Sequence, residues 1–449
     1  MRNTKMDTMR DARSPVRTVR RAIVCVLFLA ASAAQADPMA VRVSNAKAAP
    51  RDAKSALVSF DLNWPCSWRQ DGTHDALWVF CKVRPEGSTE WQPVHLAADQ
   101  VRNPAGYGQE SGTSLEFLVP DDKGGPVGMF VRRAEYGYGL ACATNVTAVW
   151  DFTANKGVGK DVKVEVLVSA VEMVYIPEGA FYLGTGELMP FRFYQYTDGT
   201  QNSKPYPVTS EGAIPTGQQD GKLWARLEAQ PEDKGEIPAA YPKGYGAFYC
   251  MKTQIKGGQY HDFLRSLPAE QMAKYCPTNY IVPKADASSD GAEKTRRRTY
   301  SPVSWGDGIG YAAWAGLRPM SELEYVKIGR GTMDPTAETG DTLNHPSSWG
   351  VEEWTGWRTP PERAVNVATP QGRNFKGTHG DGTPSVPADW PQDDAVGSGF
   401  FGGYGPINGH PSTRTQAARA ATERIPIKEI PIPPSCWRGV RTAPKEAAE

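Results

Sequence analysis

Short runs of alternating apolar and polar residues dominate the first third of the chain. Five runs alternate with a period of two: 56–62, 77–83, 114–119, 128–132 and 162–168. That period places successive side chains on opposite faces of a strand. Turn sequences such as Asp71-Gly72 separate the runs. The pattern predicts an all-β domain over residues 37–170, folded as an antiparallel sandwich.

Residues 302–331 carry a helical pattern instead. Their apolar residues recur every three or four positions: Trp305, Ile309, Ala312 and Ala313. This spacing predicts a helix, which Pro319 must end because proline supplies no backbone donor and restricts the residue before it. Ser321 and Glu324 stand at capping-box spacing and predict the start of a second helix.

The first 36 residues have the layout of a secretory signal peptide. A basic segment precedes an apolar run over residues 22–33, and Ala34-Gln35-Ala36 forms a small-x-small cleavage site. The apolar run is too short to span a bilayer comfortably. We therefore expect a periplasmic or secreted protein with no stable membrane span after cleavage.

Cleavage would also change the charge of the chain. It would remove seven basic and two acidic side chains from totals of 50 and 50, leaving 43 Lys and Arg against 48 Asp and Glu. A net charge near −5 gives nucleic acid no electrostatic basis for binding.

Six cysteines follow residue 36, and their spacing fits no zinc site. An even number in an exported chain permits disulfides without fixing their connectivity. We predict that Cys250 and Cys276 are close enough to bridge, since a strand and the end of its following helix often pack together. Two buried thiols are the alternative.

The segment around the second helix, SELEYVKIGRG after a Leu-Arg-Pro corner, resembles the sulfatase-modifying-factor family, which includes the formylglycine-generating enzymes. The family pattern reads approximately VSW-x-x-A-x-x-Y-x-x-W, then R-L-P-T-E-A-E-W-E, then A-x-R-G. Further similar segments are MVYIPEGAFYLG at 173–184, FYCMK at 248–252 and WRGVR at 437–441. The resemblance covers about residues 171–443 in the family's order.

This resemblance implies that residues 171–445 form an α+β domain like an elaborated C-type lectin. The segment around Phe60–Trp64 and Asp75–Phe80 is similar to an N-terminal module of some bacterial members of the family. We interpret the tryptophans of that module as core, with a sugar-stacking platform as the alternative.

The resemblance also locates the expected chemistry. Formylglycine-generating enzymes bind copper through two cysteines in a segment reading approximately C-x-x-x-x-C-A-A-R. Here Pro411 and Gln416 stand at the cysteine positions of the run PSTRTQAAR. Neither side chain can act as a thiolate ligand, which argues against copper. The candidate cleft residues are Trp305, Arg414, Gln416 and Arg419.

Another branch of the superfamily uses non-haem iron held by histidines and a carboxylate. None of the six histidines pairs with another at metal-binding spacing. His379 and Asp381, between glycines, are the candidate catalytic residues, and a loop histidine bonding a carbonyl is the alternative.

The family also binds calcium through loop oxygens, which makes Glu353 and Glu362 candidate calcium ligands. Trp357 stands where the family has an asparagine. The remaining charged residues of the family pattern are expected to be structural: Ser321, Glu322, Glu324, Arg330, Arg363, Arg438 and Arg441.

Two functions remain open from the sequence. The first is an exported binding protein for a peptide, a glycan or a protein partner, which lacks the copper-oxidase cysteines. The alternative is an oxygen- or metal-dependent oxidoreductase of the same superfamily that modifies an exported peptide or protein.

Overall fold

The protein is described by a computed structural model over most of its length. The described residues are 40–101, 113–122, 124–184, 193–197, 204–225, 231, 233–276, 296–301, 303–332, 347–354, 362–392, 396–401, 414–417 and 436–445. The predicted signal peptide, residues 1–36, lies outside them. No helix within these ranges is both long enough and apolar enough to cross a membrane.

Antiparallel strands form most of the regular structure. In chain order they are β1 Arg42–Pro50, β2 Ser55–Gln70, β3 Thr73–Pro85, β4 Gln92–Pro93, β5 His95–Val101, β6 Leu115–Leu118, β7 Gly128–Arg133, β8 Gly137–Asp151, β9 Val164–Ile176, β10 Phe181–Leu183, β11 Phe193–Gln195, β12 Tyr206–Val208, β13 Leu223–Ala225, β14 Phe248–Met251, β15 Arg318–Pro319, β16 Glu362–Val365, β17 Ser398–Phe401, β18 Arg414–Ala417 and β19 Gly439–Thr442. The five alternating runs of the sequence all fall on strands, so a β-rich fold is confirmed.

Twelve of these strands form one curled sheet. Its main path runs β15-β19-β14-β9-β3-β2-β8-β5, while β1 pairs with β2, β4 and β7 pair with β3, and β6 pairs with β7. The predicted turn at Asp71-Gly72 joins β2 to β3, and Gly72 adopts a φ of +73° that glycine tolerates without strain. The sheet curls into a half-barrel around an apolar cluster that includes Phe60, Trp64 and Trp150.

Strand β9 crosses the predicted boundary at residue 170. It pairs with β3 from Asp75↔Val174 to Pro85↔Val164, and with β14 through Met173–Ile176. Both halves of the chain therefore contribute to the same sheet, and residues 36–449 form a single compact unit. The division into domains at 37–170 and 171–445 stays a prediction.

The helices are few and short. They are α1 Gly257–Arg265, α2 Ala269–Tyr275, α3 Trp305–Trp314, α4 Glu322–Arg330 and α5 Pro370–Arg373, with a 3-10 turn at Phe152–Ala154. The largest apolar cluster lies between α1, α3 and one face of the sheet, and it includes Trp78, Trp305 and Trp437. The combination confirms a β-rich α+β fold.

Both helices of the 302–331 segment begin at a capping box. At α4 the Ser321 hydroxyl accepts a bond of 3.0 Å from the Glu324 amide, and the Glu324 carboxylate accepts one of 2.9 Å from the Ser321 amide. This arrangement confirms the box predicted from the sequence. Ser304 and Asp307 form the same motif at the start of α3.

Ser321→Ala should lower the free energy of unfolding by about 1 kcal/mol, because the first turn of α4 loses an acceptor for its amides. Urea denaturation of the full chain measures this change. A loss near zero would mean that water satisfies the amides as well as the serine does.

The predicted Cys250–Cys276 disulfide is wrong. Cys250 is a buried free thiol. Alternation along β14 explains the error, because Tyr249 and Met251 face the large cluster whereas Cys250 faces a smaller one on the opposite side of the sheet. Cys276 packs against the large cluster, so the sheet separates the two sulfurs.

Candidate functional site

A bidentate ion pair ties the Leu-Arg-Pro corner to α4. Arg318 donates to the two oxygens of Glu324 at 2.8 and 2.6 Å, and both side chains are buried. The Glu324 carboxylate therefore caps its own helix and neutralises Arg318 at the same time. Each charge of this pair is neutralised by the other, so neither is available to a substrate.

A second buried pair joins the segment before β19 to strand β16 of the three-stranded sheet. Arg438 donates to Glu362 through Nε, at 2.8 Å to each oxygen, and through Nη2 at 2.6 Å. The same guanidinium donates to the carbonyls of Met251, Lys252, Glu352 and Glu353. Burial alone would lower the pKa of Arg438, but the charge of Glu362 outweighs it and the pKa rises.

This arginine bears on the calcium prediction. The oxygens of Glu362 accept from Arg438 and from Gln254, which donates at 2.8 Å. Glu353 accepts from Lys256 at 2.5 Å. Among the described residues, no group of three or more His, Cys, Asp or Glu side chains could hold a metal ion. Calcium binding by Glu353 and Glu362 stays a prediction. Each of these carboxylates already pairs with a cationic side chain.

Most remaining residues of the family pattern are buried. The Glu322 carboxylate accepts from the amide of Val367 at 3.0 Å. The Arg363 guanidinium donates to Ser398 at 3.2 Å, and the Arg441 guanidinium lies 4.2 Å from the centre of the Trp78 ring. Arg330 is also buried.

Of the predicted cleft residues, Trp305 is the one whose side chain the structure describes. Trp305 is fully buried and donates from its indole nitrogen to the carbonyl of Pro391 at 2.9 Å, so it belongs to the core and lines no open cleft. Arg414 and Gln416 lie on β18, where the structure describes the backbone alone. Pro411, Arg419 and Trp357 lie outside the described residues.

His379 faces the carboxylate of Asp122, and its sequence neighbour Asp381 has other partners. Its Nε2 accepts from the amide of Thr442 at 3.1 Å, so the ring proton belongs on Nδ1, which lies 4.0 Å from Asp122. Burial, Arg441 and Arg318 hold the pKa of His379 well below its ordinary value. Asp381 instead accepts from the amide and hydroxyl of Thr383 in its own loop. His379 is therefore a neutral histidine that joins two loops.

A carboxylate cluster surrounds Lys252 where β3, β9 and β14 meet. The Lys252 ammonium lies 3.4 Å from Asp75, 3.4 Å from Glu172 and 3.8 Å from Glu352. Asp75 is fully buried and also accepts from the amide of Trp68 at 2.7 Å. Burial raises the pKa of Asp75 to about 8, although Lys252 opposes the shift.

The raised pKa predicts a pH dependence of stability. A folded-state pKa above the ordinary value means that the carboxyl holds its proton more tightly in the folded chain, so its contribution is complete below about pH 4 and is lost as the pH rises through about 8. The free energy of unfolding should therefore fall more steeply over this range in the wild type than in Asp75→Asn, which keeps an acceptor for Trp68. Parallel curves from urea denaturation would contradict this assignment.

The hairpin between β7 and β8 brings three arginines together. We call Arg69, Arg132, Arg133, Glu116 and Tyr136 the arginine end. Arg132 donates to Glu116 at 2.8 Å, and Arg69 lies 3.5 Å from the same carboxylate. Arg69 also donates to the carbonyl of Arg133 at 2.7 Å. All three arginines are at least nine-tenths buried.

The positive charges of this cluster lower the pKa of a buried histidine, His74. His74 stacks on Tyr175 with ring centres 4.7 Å apart, and its Nε2 lies 2.9 Å from the hydroxyl of Tyr249. Burial, Arg132 and Arg69 lower the pKa of His74 to about 3. The histidine is therefore neutral at physiological pH, and Glu116 is the one carboxylate that the described residues bring within 4 Å of these arginines.

Large exposed side chains lie at the arginine end and in the strand that follows it. Tyr136 is 64% exposed, Tyr138 is 73% exposed and Leu140 is 49% exposed. The sequence reasoning missed this cluster. A usable signal was the run RRAEYGYG at 132–139, where two arginines end a strand and glycines flank a tyrosine.

No protein-family model matches the chain, and no curated protein matches it. The family likeness therefore rests on the order of short segments along the sequence.

Proposed function

We propose that the chain is a divergent sulfatase-modifying-factor-like protein that binds a peptide, a glycan or a protein partner without copper-dependent oxidation. The observation that carries the proposal is the concentration of exposed apolar side chains at Tyr136, Tyr138 and Leu140. Clustered exposed apolar groups favour interaction sites, whereas scattered ones do not.

The charged residues of the family pattern support the non-catalytic half of the proposal. Glu324 and Glu362 are bound to buried arginines, so these carboxylates hold loops together. The sequence places Pro411 and Gln416 where thiolates would be required. On the same family likeness we propose that residues 171–445 form the C-type-lectin-like domain. The basic and apolar leader supports export to the periplasm or beyond.

The binding proposal is tested with purified full chain treated with a chelator. The protein is applied to arrays of glycans, peptides and exported proteins, and saturable binding to at least one class is the expected result. Binding that disappears with the chelator and returns with copper or iron would contradict a metal-independent binding protein.

His379→Ala separates this proposal from the oxidoreductase alternative. We expect ligand binding to remain unchanged, because the imidazole joins the loops of Asp122 and Thr442 and has a structural role there. A modest drop in melting temperature is the expected cost of one lost hydrogen bond. Loss of binding with an unchanged melting temperature would instead place His379 in the functional site.

A further inference from the structure

We propose that the arginine end binds a negatively charged carbohydrate, a sugar ring that carries a carboxylate or a sulfate. This inference rests on the proposed binding function and names the class of ligand and its contact residues. The anionic group would meet Arg133, and the sugar ring would stack on Tyr136.

Arg133 carries a buried positive charge that no described carboxylate balances. Its side chain is 9% exposed, and its Nη1 donates to the hydroxyl of Ser67 at 2.9 Å. Its Nε is buried and has no hydrogen-bond partner among the described residues, and none of their carboxylates lies within 4 Å of its guanidinium. A buried cation without a counter-ion is costly, so an anion would bind favourably at this position.

The neighbouring charges do not supply that counter-ion. Glu116 is already shared between Arg69 and Arg132. The carboxylate of Glu116 is therefore engaged by two guanidinium groups other than that of Arg133. Arginine is suited to such a ligand, because its planar group donates two parallel bonds to a carboxylate or a sulfate.

Gly137 lies directly beside the guanidinium of Arg133. Gly137 has a φ of +149°, a conformation that other residues rarely adopt. A Cβ built on Gly137 would lie 3.0 Å from Nη2 of Arg133. Any side chain at this position would press against the guanidinium, whereas glycine adds no atom there.

An exposed aromatic ring, that of Tyr136, lies beside Arg69. Tyr136 lies over Arg69, whose guanidinium carbon is 5.9 Å from the ring centre, and the ring remains mostly exposed. A tyrosine ring offers an apolar face with a polar edge, which suits the C–H face and hydroxyl groups of a sugar. A buried anion site beside an exposed ring therefore matches an acidic sugar.

Other anions fit less well. A nucleic acid needs a basic groove along its backbone, whereas the chain after residue 36 is net negative and the site is one buried cluster. An acidic peptide would satisfy the arginines but does not require the exposed ring. Glu135, exposed in the same turn, would weakly repel any anion.

The test is calorimetric titration of the full chain with four probes. These are a hexagalacturonate, a heparin hexasaccharide, neutral cellohexaose and a hexaglutamate peptide. We expect saturable binding of a carboxylated or sulfated sugar, with no binding of cellohexaose. Arg133→Gln should weaken this binding about tenfold, because it removes charge-assisted bonds. Arg133→Lys should recover part of the loss.

Two surface variants serve as further checks. Tyr136→Ala should weaken sugar binding without affecting folding, and it decides the question if Arg133→Gln does not fold. Glu135→Gln should strengthen binding slightly by removing the repulsive charge. Binding of hexaglutamate as tightly as the sugars, absence of sugar binding, or equal affinity in the Arg133 and Tyr136 variants would each overturn the inference. An array ligand that binds regardless of Arg133 would leave the broader binding proposal standing.

Discussion

Glu324→Ala should lower the free energy of unfolding by about 3–5 kcal/mol, the range expected when one member of a buried ion pair is removed. The substitution leaves Arg318 buried without its partner and also removes the acceptor for the Ser321 amide. Urea denaturation monitored by tryptophan fluorescence measures the loss.

Ser321→Ala is the matched control, because it removes the other half of the same capping box, together with the bond of 2.8 Å from the Ser321 hydroxyl to the Pro242 carbonyl. The difference between the two variants isolates the contribution of the Arg318 pair. Equal losses of about 1 kcal/mol would show that Glu324 acts as a helix cap alone. Loss of ligand binding with no loss of stability would place α4 in the functional site.

Arg438→Met should lower the free energy of unfolding by a similar amount, about 3–5 kcal/mol, because it leaves Glu362 buried without its cationic partner. It also removes the donor for four carbonyl groups on two separate segments. We expect a lower urea midpoint, with incomplete folding at 37 °C as the visible consequence in a marginally stable protein.

The double variant Arg438→Met, Glu362→Gln is the control for the unpaired charge. It should recover part of the stability, since the glutamine is neutral and retains an acceptor for Gln254. A double variant that is no more stable than Arg438→Met would show that the carbonyl contacts, and not the charge of Glu362, account for the loss.

Local sequence signals identified the elements but not their partners. Alternation at 56–62 and 77–83 was enough to predict β2 and β3, and Ser321 with Glu324 was enough to predict the start of α4. These signals depend on neighbours within a few residues. The course of β9 across residue 170 depends on pairing with β3 and β14, which no local pattern contains.

The errors in the site prediction have the same origin. Pairing Cys250 with Cys276 required knowing which face of β14 the helices cover. The isolation of Arg133 depends on the fold, which brings Ser67 to its guanidinium and pairs Glu116 with Arg132 instead. His379 and Asp381 were grouped as candidates because they are close in sequence, whereas the carboxylate that faces His379 is Asp122, more than 250 residues away.

Buried lysines connect separate segments of this loop-rich chain. Lys327 donates to the carbonyls of Pro177, Gly244 and Tyr245 at 2.6, 2.5 and 3.1 Å. Lys82 contacts the carbonyls of Trp314 and Gly382. Burial lowers the pKa of Lys327 to about 8 and that of Lys82 to about 7. These ammonium groups join separate segments through backbone oxygens.

Oxygen uptake by the full chain, incubated with copper and a cysteine-containing peptide, shows whether the protein is a copper-dependent oxidase. We expect uptake equal to that of the same copper and peptide without protein, because Pro411 and Gln416 supply no thiolates. Saturable, protein-dependent oxygen consumption with oxidation of the peptide cysteine would contradict it.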